Sequence, residues 1–304
     1  MSTSSAPSAA FIGLGAIGTP MARHVAAGTA LAVWNRTAEK AATFATDTGA
    51  RRAESPAEAA RGVEFLITCL PTSKEVEQVL FGDSGAAASL RSGAMVIDCT
   101  SGDPATSRRI AARLDAAGIA FVDAPVSGGV AGAVAGKLTV MVGGPAEAFE
   151  RARPILELFA GKIVHCGAVG TGDAVKAINN ALLAVHVWST AEGLAALSKL
   201  GVDPAVALDV INSSSGRSNA SMNLFPERVL NRSFPRTFKL ALLDKDVGIA
   251  AGVAEETGTP APLLQETARL FKDAHKELGD DADHIEAVKV VEERARTTIR
   301  AGNH

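Results

Sequence analysis

The 304-residue sequence has no tyrosine, and aromatic residues make up only 4% of it. Its three cysteines are widely spaced and odd in number, so they predict no disulfide framework and fit a reducing cytoplasm. The six histidines do not fall at metal-ligand spacing, and we expect no metal site. Lysine and arginine number 30 against 33 acidic residues, which excludes the strong basic field of a nucleic-acid-binding protein.

Long uninterrupted apolar runs are also missing. The most apolar stretch, residues 174–197, is broken by several polar side chains, so we expect no membrane span. The start of the chain lacks the positive region of a signal peptide, and we expect a mobile tail over residues 1–8. The apolar content of 47% is nevertheless sufficient for a large core, so the sequence predicts a folded, cytoplasmic protein.

Short apolar runs alternate with helical patterns as far as Cys166. The predicted strands are residues 9–12, 29–34, 63–70, 95–98, 120–123, 138–142 and 162–166. Strands separated by helices of about 10 to 15 residues are typical of an α/β fold with a doubly wound, mostly parallel sheet. We therefore predict an N-terminal Rossmann domain over residues 1–167.

The alternation stops at a glycine-rich joint, residues 167–172. A helix is predicted from Asp173 to about Leu200, followed by further helices that include Leu240–Glu256 and Pro262–Leu278. Residues 168–304 thus form a predicted all-α domain for substrate binding and oligomerisation, joined to the first by the long interdomain helix. Helices longer than about 25 residues often bridge domains or subunits, so we expect a homodimer or homotetramer.

The first predicted strand is followed by the turn Gly13-Leu14-Gly15-Ala16-Ile17-Gly18, which opens a helix. Glycines here permit a tight turn, close approach of a pyrophosphate and close packing of helix on strand. The helix start supplies free amides and the positive end of its dipole. A G-x-G-x-x-G motif alone is weak evidence, but within a strand–helix–strand unit it predicts that these six residues bind a dinucleotide.

The residues after the second predicted strand bear on the choice of cofactor. An acidic residue there would bind the adenosine ribose 2′-hydroxyl, but this chain has Asn35-Arg36-Thr37 and no acid before Glu39. Arg36 can pair with a 2′-phosphate, to which Asn35 and Thr37 donate hydrogen bonds. The alternative is a solvated surface arginine. We predict NADP as the preferred cofactor and keep NAD as the alternative.

Three later strand ends are also candidates. Leu70-Pro71 and Ser101 follow strands whose ends a doubly wound sheet places along the cofactor, although each segment read alone is equally an ordinary loop. The segment 123–129 reads D-A-P-V-S-G-G, in which Ser127, Gly128 and Gly129 offer a hydroxyl and two unobstructed amides. Such a nest suits a substrate carboxylate. A purely structural glycine turn is the alternative.

The predicted long helix carries Lys176 and Asn180 near its start, one turn apart on the same face. A lysine and an amide that project together can protonate and hold a carbonyl oxygen. Farther along, Lys245 follows an apolar run and is a candidate contact for the cofactor or a carboxylate. Each lysine, taken alone, is also compatible with a solvated side chain.

The motifs G-L-G-x-I-G-x-P-M-A, D-A-P-V-S-G-G, G-x-G-x3-K-x2-N-N and a late K-D make this sequence resemble the β-hydroxyacid dehydrogenase family. That family includes 3-hydroxyisobutyrate dehydrogenase, tartronate semialdehyde reductase and glyoxylate/succinic semialdehyde reductases, and is related to 6-phosphogluconate dehydrogenase. The resemblance covers nearly the whole chain. It implies hydride transfer between a nicotinamide cofactor and a small 3-hydroxy acid or its semialdehyde.

By position, the resemblance implies that Lys176 is the catalytic general acid and base and that Asn180 orients the substrate. It likewise implies that Ser127, Gly128 and Gly129 bind the substrate carboxylate.

On the cofactor side, the resemblance places Lys245 near the nicotinamide. Ser101 stands where many members have threonine, and the exchange keeps a hydroxyl. The Asn35-Arg36-Thr37 segment resembles the NADPH-using branch of the family.

Three other functions are weighed against this interpretation. Imine reductases of the same architecture usually carry Asp or Tyr where this chain has Lys176, and non-catalytic cofactor-binding scaffolds have lost that lysine. Oxidative decarboxylation of a sugar acid is disfavoured by the chain length and by the absence of an obvious phosphate-binding tail. We therefore predict an NADP-preferring dehydrogenase of a small carboxylate substrate, with no nucleic-acid or membrane partner.

Overall fold

The computed structural model describes residues 7–302 of the protein. Most of the predicted mobile tail, residues 1–8, therefore lies outside the described residues. Ser8 does not, because it is the first residue of the first strand, where it pairs with Ala30 and donates its hydroxyl to the carbonyl of Gly62. The tail prediction is wrong for this residue, since pairing with a neighbouring strand holds it.

The described part of the chain contains a nine-stranded sheet. Its strands are β1 (Ser8–Ile12), β2 (Ala30–Trp34), β3 (Arg51–Arg52), β4 (Phe65–Thr68), β5 (Met95–Asp98), β6 (Ala120–Asp123), β7 (Val126–Ser127), β8 (Leu138–Gly143) and β9 (Ala160–Gly167). Strands β3, β2, β1, β4, β5 and β6 lie in that order and pair in parallel. This is the strand order of a doubly wound dinucleotide-binding fold, and the predicted fold class is confirmed.

The sheet changes direction beyond β6. Strand β8 is antiparallel to β6 and to β7, whereas β9 is parallel to β8. Strand direction is decided by pairing between segments that are distant in sequence, so the alternation of strands and helices does not reveal it. Strands β3 and β7 have two residues each and are too short to produce a pattern.

Helices cover both faces of this sheet. They are α1 (Gly18–Gly28), α2 (Ala38–Thr48), α3 (Pro56–Ala59), α4 (Ser73–Phe81), α5 (Pro104–Asp115), α6 (Gly129–Val134) and α7 (Ala146–Leu156). Successive side chains of a strand point to opposite faces. Accordingly, Ala9 and Phe11 of β1 belong to one buried cluster, and Ala10 and Ile12 belong to another.

Capping residues set several helix ends where the sequence predicts them. Asp103 accepts a hydrogen bond from the amide of Thr106 at 2.8 Å and begins α5. Ser55 begins α3 by accepting from the amide of Glu58, while the Glu58 carboxylate accepts from the amide of Glu54.

The remainder of the chain is helical. Its α-helices are α8 (Thr171–Lys199), α9 (Pro204–Asn212), α10 (Leu240–Glu256), α11 (Pro262–Leu278) and α12 (Ala287–Ala295). Residues Ala220–Val229 form a π-helix, and Pro226 lies within it. Since proline has no amide hydrogen to donate, it disfavours regular α-helical bonding at this point.

Helix α8 contains the division between two compact units, residues 1–176 and 177–304. The predicted boundary near residue 167 stays a prediction, and β9 ends at that residue. By length and composition alone α8 could cross a membrane. Its buried residues Ala177, Ala181, Ala184 and Trp188 recur every three to four positions and belong to the core of the second unit.

Candidate active site

Four parallel strands end side by side at one edge of the sheet. Their last residues, Ile12, Thr68, Asp98 and Asp123, are direct neighbours in register. Ligands of open α/β sheets bind outside the carboxyl ends of the strands. The predicted cofactor residues of the first unit follow β1, β2, β4 and β5, and the predicted carboxylate-binding residues follow β6, so the fold brings both sets to the same edge.

The glycine-rich turn after β1 needs glycine at two positions for packing. A Cβ atom at Gly13, whose φ is 105°, would lie 2.2 Å from the carbonyl oxygen of Cys69, and one at Gly18 would lie 2.0 Å from the carbonyl oxygen of Gly13. Gly15 is exposed and its Cβ position has open space for 4 Å around it, and residues 16–17 complete the turn. The backbone at Gly15 is thus accessible, which fits a bound pyrophosphate.

Asn35 ties this turn to the loop after β2. Its Oδ1 accepts a hydrogen bond from the amide of Leu14 at 2.9 Å, and its Nδ2 donates to the carbonyl of Thr37 at 2.9 Å. The side chains of Arg36 and Thr37 are exposed. Asn35 therefore has a role within the protein that its sequence position did not reveal, namely fixing the loop that presents Arg36.

The other predicted cofactor residues lie at the ends of β4 and β5. Leu70 is half-buried, and its amide donates to Oγ1 of Thr100 at 3.0 Å. Pro71 is exposed, while Ser101 is half-buried. This hydrogen bond fixes the loop after β4 relative to the loop after β5.

The predicted carboxylate-binding segment is not a simple turn. Ser127 is the second residue of β7 and pairs with Thr139 of β8, and Gly129 begins α6. Gly128 and Gly129 have φ values of 131° and 62°, a region that favours glycine. The backbone of this segment is therefore fixed by strand pairing on one side and by a helix on the other.

Buried carboxyl groups lie behind the same edge, a feature that the sequence pattern did not single out. Asp98, Asp123 and Asp173 are each no more than 1% exposed. Asp98 accepts hydrogen bonds from Oγ1 of Thr68 at 2.7 Å and from the amide of Thr100 at 3.0 Å. These two donors are a hydroxyl group and a backbone amide.

The other two carboxylates contact the start of α8 and the loop after β5. Asp123 accepts from the amide of Gly170 at 2.7 Å and from the amide of Asp173 at 3.0 Å. Asp173 in turn accepts from the amide of Gly102 at 2.9 Å and from the Ser107 hydroxyl at 2.6 Å. These bonds join three segments of the first unit through two side chains.

Burial raises the pKa of all three carboxyl groups. For Asp98 the value is about 6, because desolvation outweighs the hydrogen bonds from Thr100 and Thr68. Desolvation also raises the pKa of Asp123, against the amides of its helix partners, and it raises that of Asp173 together with the nearby charge of Asp123.

Lys176 lies three residues after Asp173 on α8 and is only 8% exposed. Lysines are almost never buried to this extent unless they are paired. Lys176 is therefore not an ordinary solvated lysine, and its role in the site stays a prediction.

Asn180 belongs to a hydrogen-bonded group in the second unit. Its Nδ2 donates to Oδ2 of the buried Asp246 at 2.6 Å, and its Oδ1 accepts from Nδ2 of Asn179 at 3.1 Å. Lys245 Nζ lies 3.0 Å from the other carboxylate oxygen of Asp246. Asp246 therefore fixes the Asn180 amide and lies beside the Lys245 ammonium group.

The cysteine thiols and the possible metal ligands give no candidate nucleophile at Cys69 or Cys99 and no candidate metal centre within residues 7–302. Within residues 7–302 no group of three His, Cys, Asp or Glu side chains could hold a metal ion. Burial raises the pKa of Cys69 to about 12 and that of Cys99 well above its ordinary value, so neither is a thiolate at neutral pH.

Comparisons with known proteins agree with this geometry. Residues 8–167 match the NAD binding domain of 6-phosphogluconate dehydrogenase, and residues 170–291 match the domain described as NAD-binding of NADP-dependent 3-hydroxyisobutyrate dehydrogenase. The chain thus has the domains of a nicotinamide-dependent dehydrogenase.

Individual relatives are similar over almost their full length. A 3-hydroxyisobutyrate dehydrogenase of Pseudomonas aeruginosa is 38% identical, covering 90% of this chain and 93% of that protein. An NAD-dependent L-serine dehydrogenase of the same organism is 37% identical, covering 86% and 90%. The solved structure of Mycobacterium tuberculosis 3-hydroxyisobutyrate dehydrogenase with L-serine has a TM-score of 0.85 and 32% identity, covering 94% of this chain and 99% of that one.

This chain belongs to the β-hydroxyacid dehydrogenase family. It is an NAD(P)-dependent hydroxyacid dehydrogenase, as its motifs predict.

The buried Asp98 predicts an unusual pH dependence of stability. Its pKa of about 6 in the folded protein is higher than the value of 3.8 expected when it is exposed, so the folded state binds the proton more tightly. Stability from this group is therefore present at about pH 4 and is lost as the pH rises through about 6. That difference in pKa corresponds to about 3 kcal/mol in the free energy of unfolding.

Urea unfolding of the wild type and of Asp98→Asn at pH 4, 5, 6 and 7 measures this dependence. On going from pH 7 to pH 4, we expect the wild type to gain about 2 kcal/mol relative to the variant, whose amide does not titrate, because the full difference is reached only below pH 4. A difference between the two proteins that stays constant with pH contradicts a raised pKa at Asp98.

Proposed function

We propose that this protein interconverts a small 3-hydroxy acid and its semialdehyde, prefers NADP(H), and uses Lys176 as general acid and base. The observation that carries the proposal is the burial of Lys176 at the beginning of α8, one turn before Asn180. When bound, the nicotinamide supplies the redox half of the reaction. The residues of this chain have to hold the substrate and to move the hydroxyl proton.

The substrate carboxylate is assigned to Ser127, Gly128 and Gly129. Within residues 7–302 the Ser127 hydroxyl has no hydrogen-bond partner, so it is available to a ligand. Both glycines have positive φ and are exposed. A carboxylate accepts several such donors at once.

The similar proteins support a reacting hydroxyl on the carbon β to the substrate carboxylate. The names of the similar proteins include 3-hydroxyisobutyrate and L-serine, and both compounds carry the reacting hydroxyl on the carbon β to the carboxylate. Asn180 is held by Asp246 and can orient the oxygen at this carbon, while the Lys176 ammonium group gives its proton to the carbonyl in reduction and takes it back in oxidation.

The cofactor preference is assigned to Arg36, with Gly13, Leu14, Gly15, Ala16, Ile17 and Gly18 around the pyrophosphate. Arg36 is exposed, follows β2 and has no carboxylate partner in the described chain, so its guanidinium is available to a 2′-phosphate. Thr37, Leu70, Pro71, Ser101 and Lys245 are proposed to contact the remainder of the cofactor. We also propose that the protein is a cytoplasmic homodimer or homotetramer.

A substrate panel tests the reaction class. We expect a 3-hydroxy acid to be oxidised with a kcat/KM at least about 100-fold above that of its methyl ester or amide, because the neutral analogues leave polar groups of the site unpaired. The isomeric 2-hydroxy acid is the matched control for carboxylate position. Equal turnover of the neutral analogues, preference for the 2-hydroxy isomer, or reduction of a cyclic imine instead would contradict the proposal.

Replacing Arg36 tests the cofactor assignment. A charge-assisted pair contributes about 1.5–3 kcal/mol, so Arg36→Ala should lower the ratio of kcat/KM for NADP to that for NAD by roughly 10- to 150-fold. Arg91→Ala, which removes an exposed arginine paired with Glu64, is the control and should leave the ratio unchanged. An unchanged ratio in Arg36→Ala would show that the arginine does not select the cofactor.

Replacing Lys176 tests the acid–base role. Lys176→Ala should lose about 10²- to 10⁴-fold in kcat while its affinity for NADP(H), measured by fluorescence titration, changes little. Lys199→Ala removes an exposed lysine at the other end of the same helix and serves as the control. Near-normal turnover in Lys176→Ala would make this lysine structural.

A further inference from the structure

We infer that Asp123 is a positioning residue, whose carboxylate holds the start of α8 and thereby sets the place of Lys176 relative to Ser127. The inference rests on the proposed role of Lys176. Asp123 is the first residue of the D-A-P-V-S-G-G motif, and the sequence alone indicates no role for its side chain.

Helix α8 has no capping side chain of its own at its first residues. Gly170 precedes the first helical residue and carries no side chain, so it cannot accept a hydrogen bond from the helix amides. Asp123, from the end of β6, supplies the missing acceptor by binding the amides of Gly170 and Asp173. An anion at this end also interacts favourably with the helix dipole.

Two glycines make room for this carboxylate. A Cβ atom at Gly172 would lie 2.8 Å from Oδ2 of Asp123, and one at Gly143 would lie 2.4 Å from its Oδ1. Gly172 belongs to the helix start and Gly143 to β8, so the carboxylate lies between the two elements. Their close approach depends on both glycines lacking side chains.

The same residue is linked to the carboxylate-binding segment. The backbone of Asp123 pairs with Gly143 of β8, and four residues later Ser127 pairs with Thr139 of the same strand. Strand β8 therefore holds both Asp123 and Ser127. Lys176, by contrast, follows the helix start that the Asp123 side chain binds.

Two further hydrogen bonds hold the first turn of α8. Asp173 lies one turn before Lys176, and its carboxylate accepts from the Ser107 hydroxyl of α5 and from the amide of Gly102. Because residues 170 and 173 are both hydrogen-bonded to the first unit, the start of the helix cannot shift along its axis without breaking several buried hydrogen bonds. A displacement of about 1 Å at a catalytic group can cost 100-fold in rate.

A double-mutant cycle separates positioning from general stability. Asp123→Asn keeps the size of the side chain but turns one acceptor oxygen into a donor that faces a helix amide. We expect it to lower kcat by about 10- to 100-fold, with the KM for NADP(H) changed less than about twofold. In the Lys176→Ala background the same substitution should lower the residual rate by no more than about twofold, because the group it positions is gone.

A control variant shows whether weakening any helix cap lowers kcat. Asp203 begins α9 by accepting from the amide of Ala205 at 2.7 Å, so Asp203→Asn weakens a cap on a helix that carries no proposed site residue, and its kcat should stay normal. If Asp123→Asn fails to fold, Ser107→Ala removes only the bond to Asp173 and should show the same pattern with a smaller effect.

Hydrogen exchange gives a readout that needs no turnover. In the cofactor-free enzyme, Asp123→Asn should speed exchange at the amides of residues 170–173 at least about tenfold, and Asp203→Asn should not. An equal loss of rate in both backgrounds of the cycle, or unchanged exchange at these amides, overturns the positioning role of Asp123. Normal turnover in Lys176→Ala would instead overturn the proposed function, and the exchange experiment would still report on the helix start.

Discussion

Parallel pairing of β2, β1, β4, β5 and β6 is the constraint on which the site of the first unit depends. Because the strands share one direction, their carboxyl ends meet at one edge, and the segments that follow them are neighbours there although they lie up to about a hundred residues apart in sequence. The glycine-rich turn, the Arg36 loop and the Ser127 segment all follow strands of this set. The segments proposed for the cofactor and for the substrate therefore lie along the same edge.

Close packing at this edge is achieved with few side chains and many backbone groups. Gly18 lets the first helix approach the end of β1, Gly143 makes room for the Asp123 carboxylate, and Gly172 lets the start of α8 approach β8. The buried carboxylate of Asp123 then receives amide hydrogens that no local cap supplies. Its desolvation is unfavourable, as the raised pKa shows, and the hydrogen bonds to the start of the helix that carries Lys176 offset this cost.

Much of the fold could be predicted from local signals. The ends of α10 and α11 agree with the predicted bounds, since Pro262 begins one helix and Gly279, with a φ of 82°, ends it. No sequence prediction covers α4, although its cap Thr72 and its apolar spacing are ordinary helix signals. The antiparallel direction of β8 had no such signal, because it depends on tertiary pairing.

The site shows a similar division. Glycine spacing and the lysine–asparagine pair are visible in the sequence because their chemistry depends on near neighbours along the chain. The partners of Asn35, Asp123 and Asp246 are not visible, since each bonds to atoms of a different element. An aspartate has the same appearance in a sequence whether its carboxylate is buried or exposed, and only the folded structure shows which it is.

The central claim is that Ser127 and Lys176 act on opposite ends of one small hydroxy acid. A crystal structure with NADP⁺ and a 3-hydroxy acid tests it most directly. The account predicts the substrate carboxylate on the Ser127 hydroxyl and the amides of Gly128 and Gly129, with the substrate hydroxyl within about 3 Å of Lys176 Nζ. A carboxylate bound elsewhere, or a hydroxyl whose neighbours do not include Lys176, would contradict it.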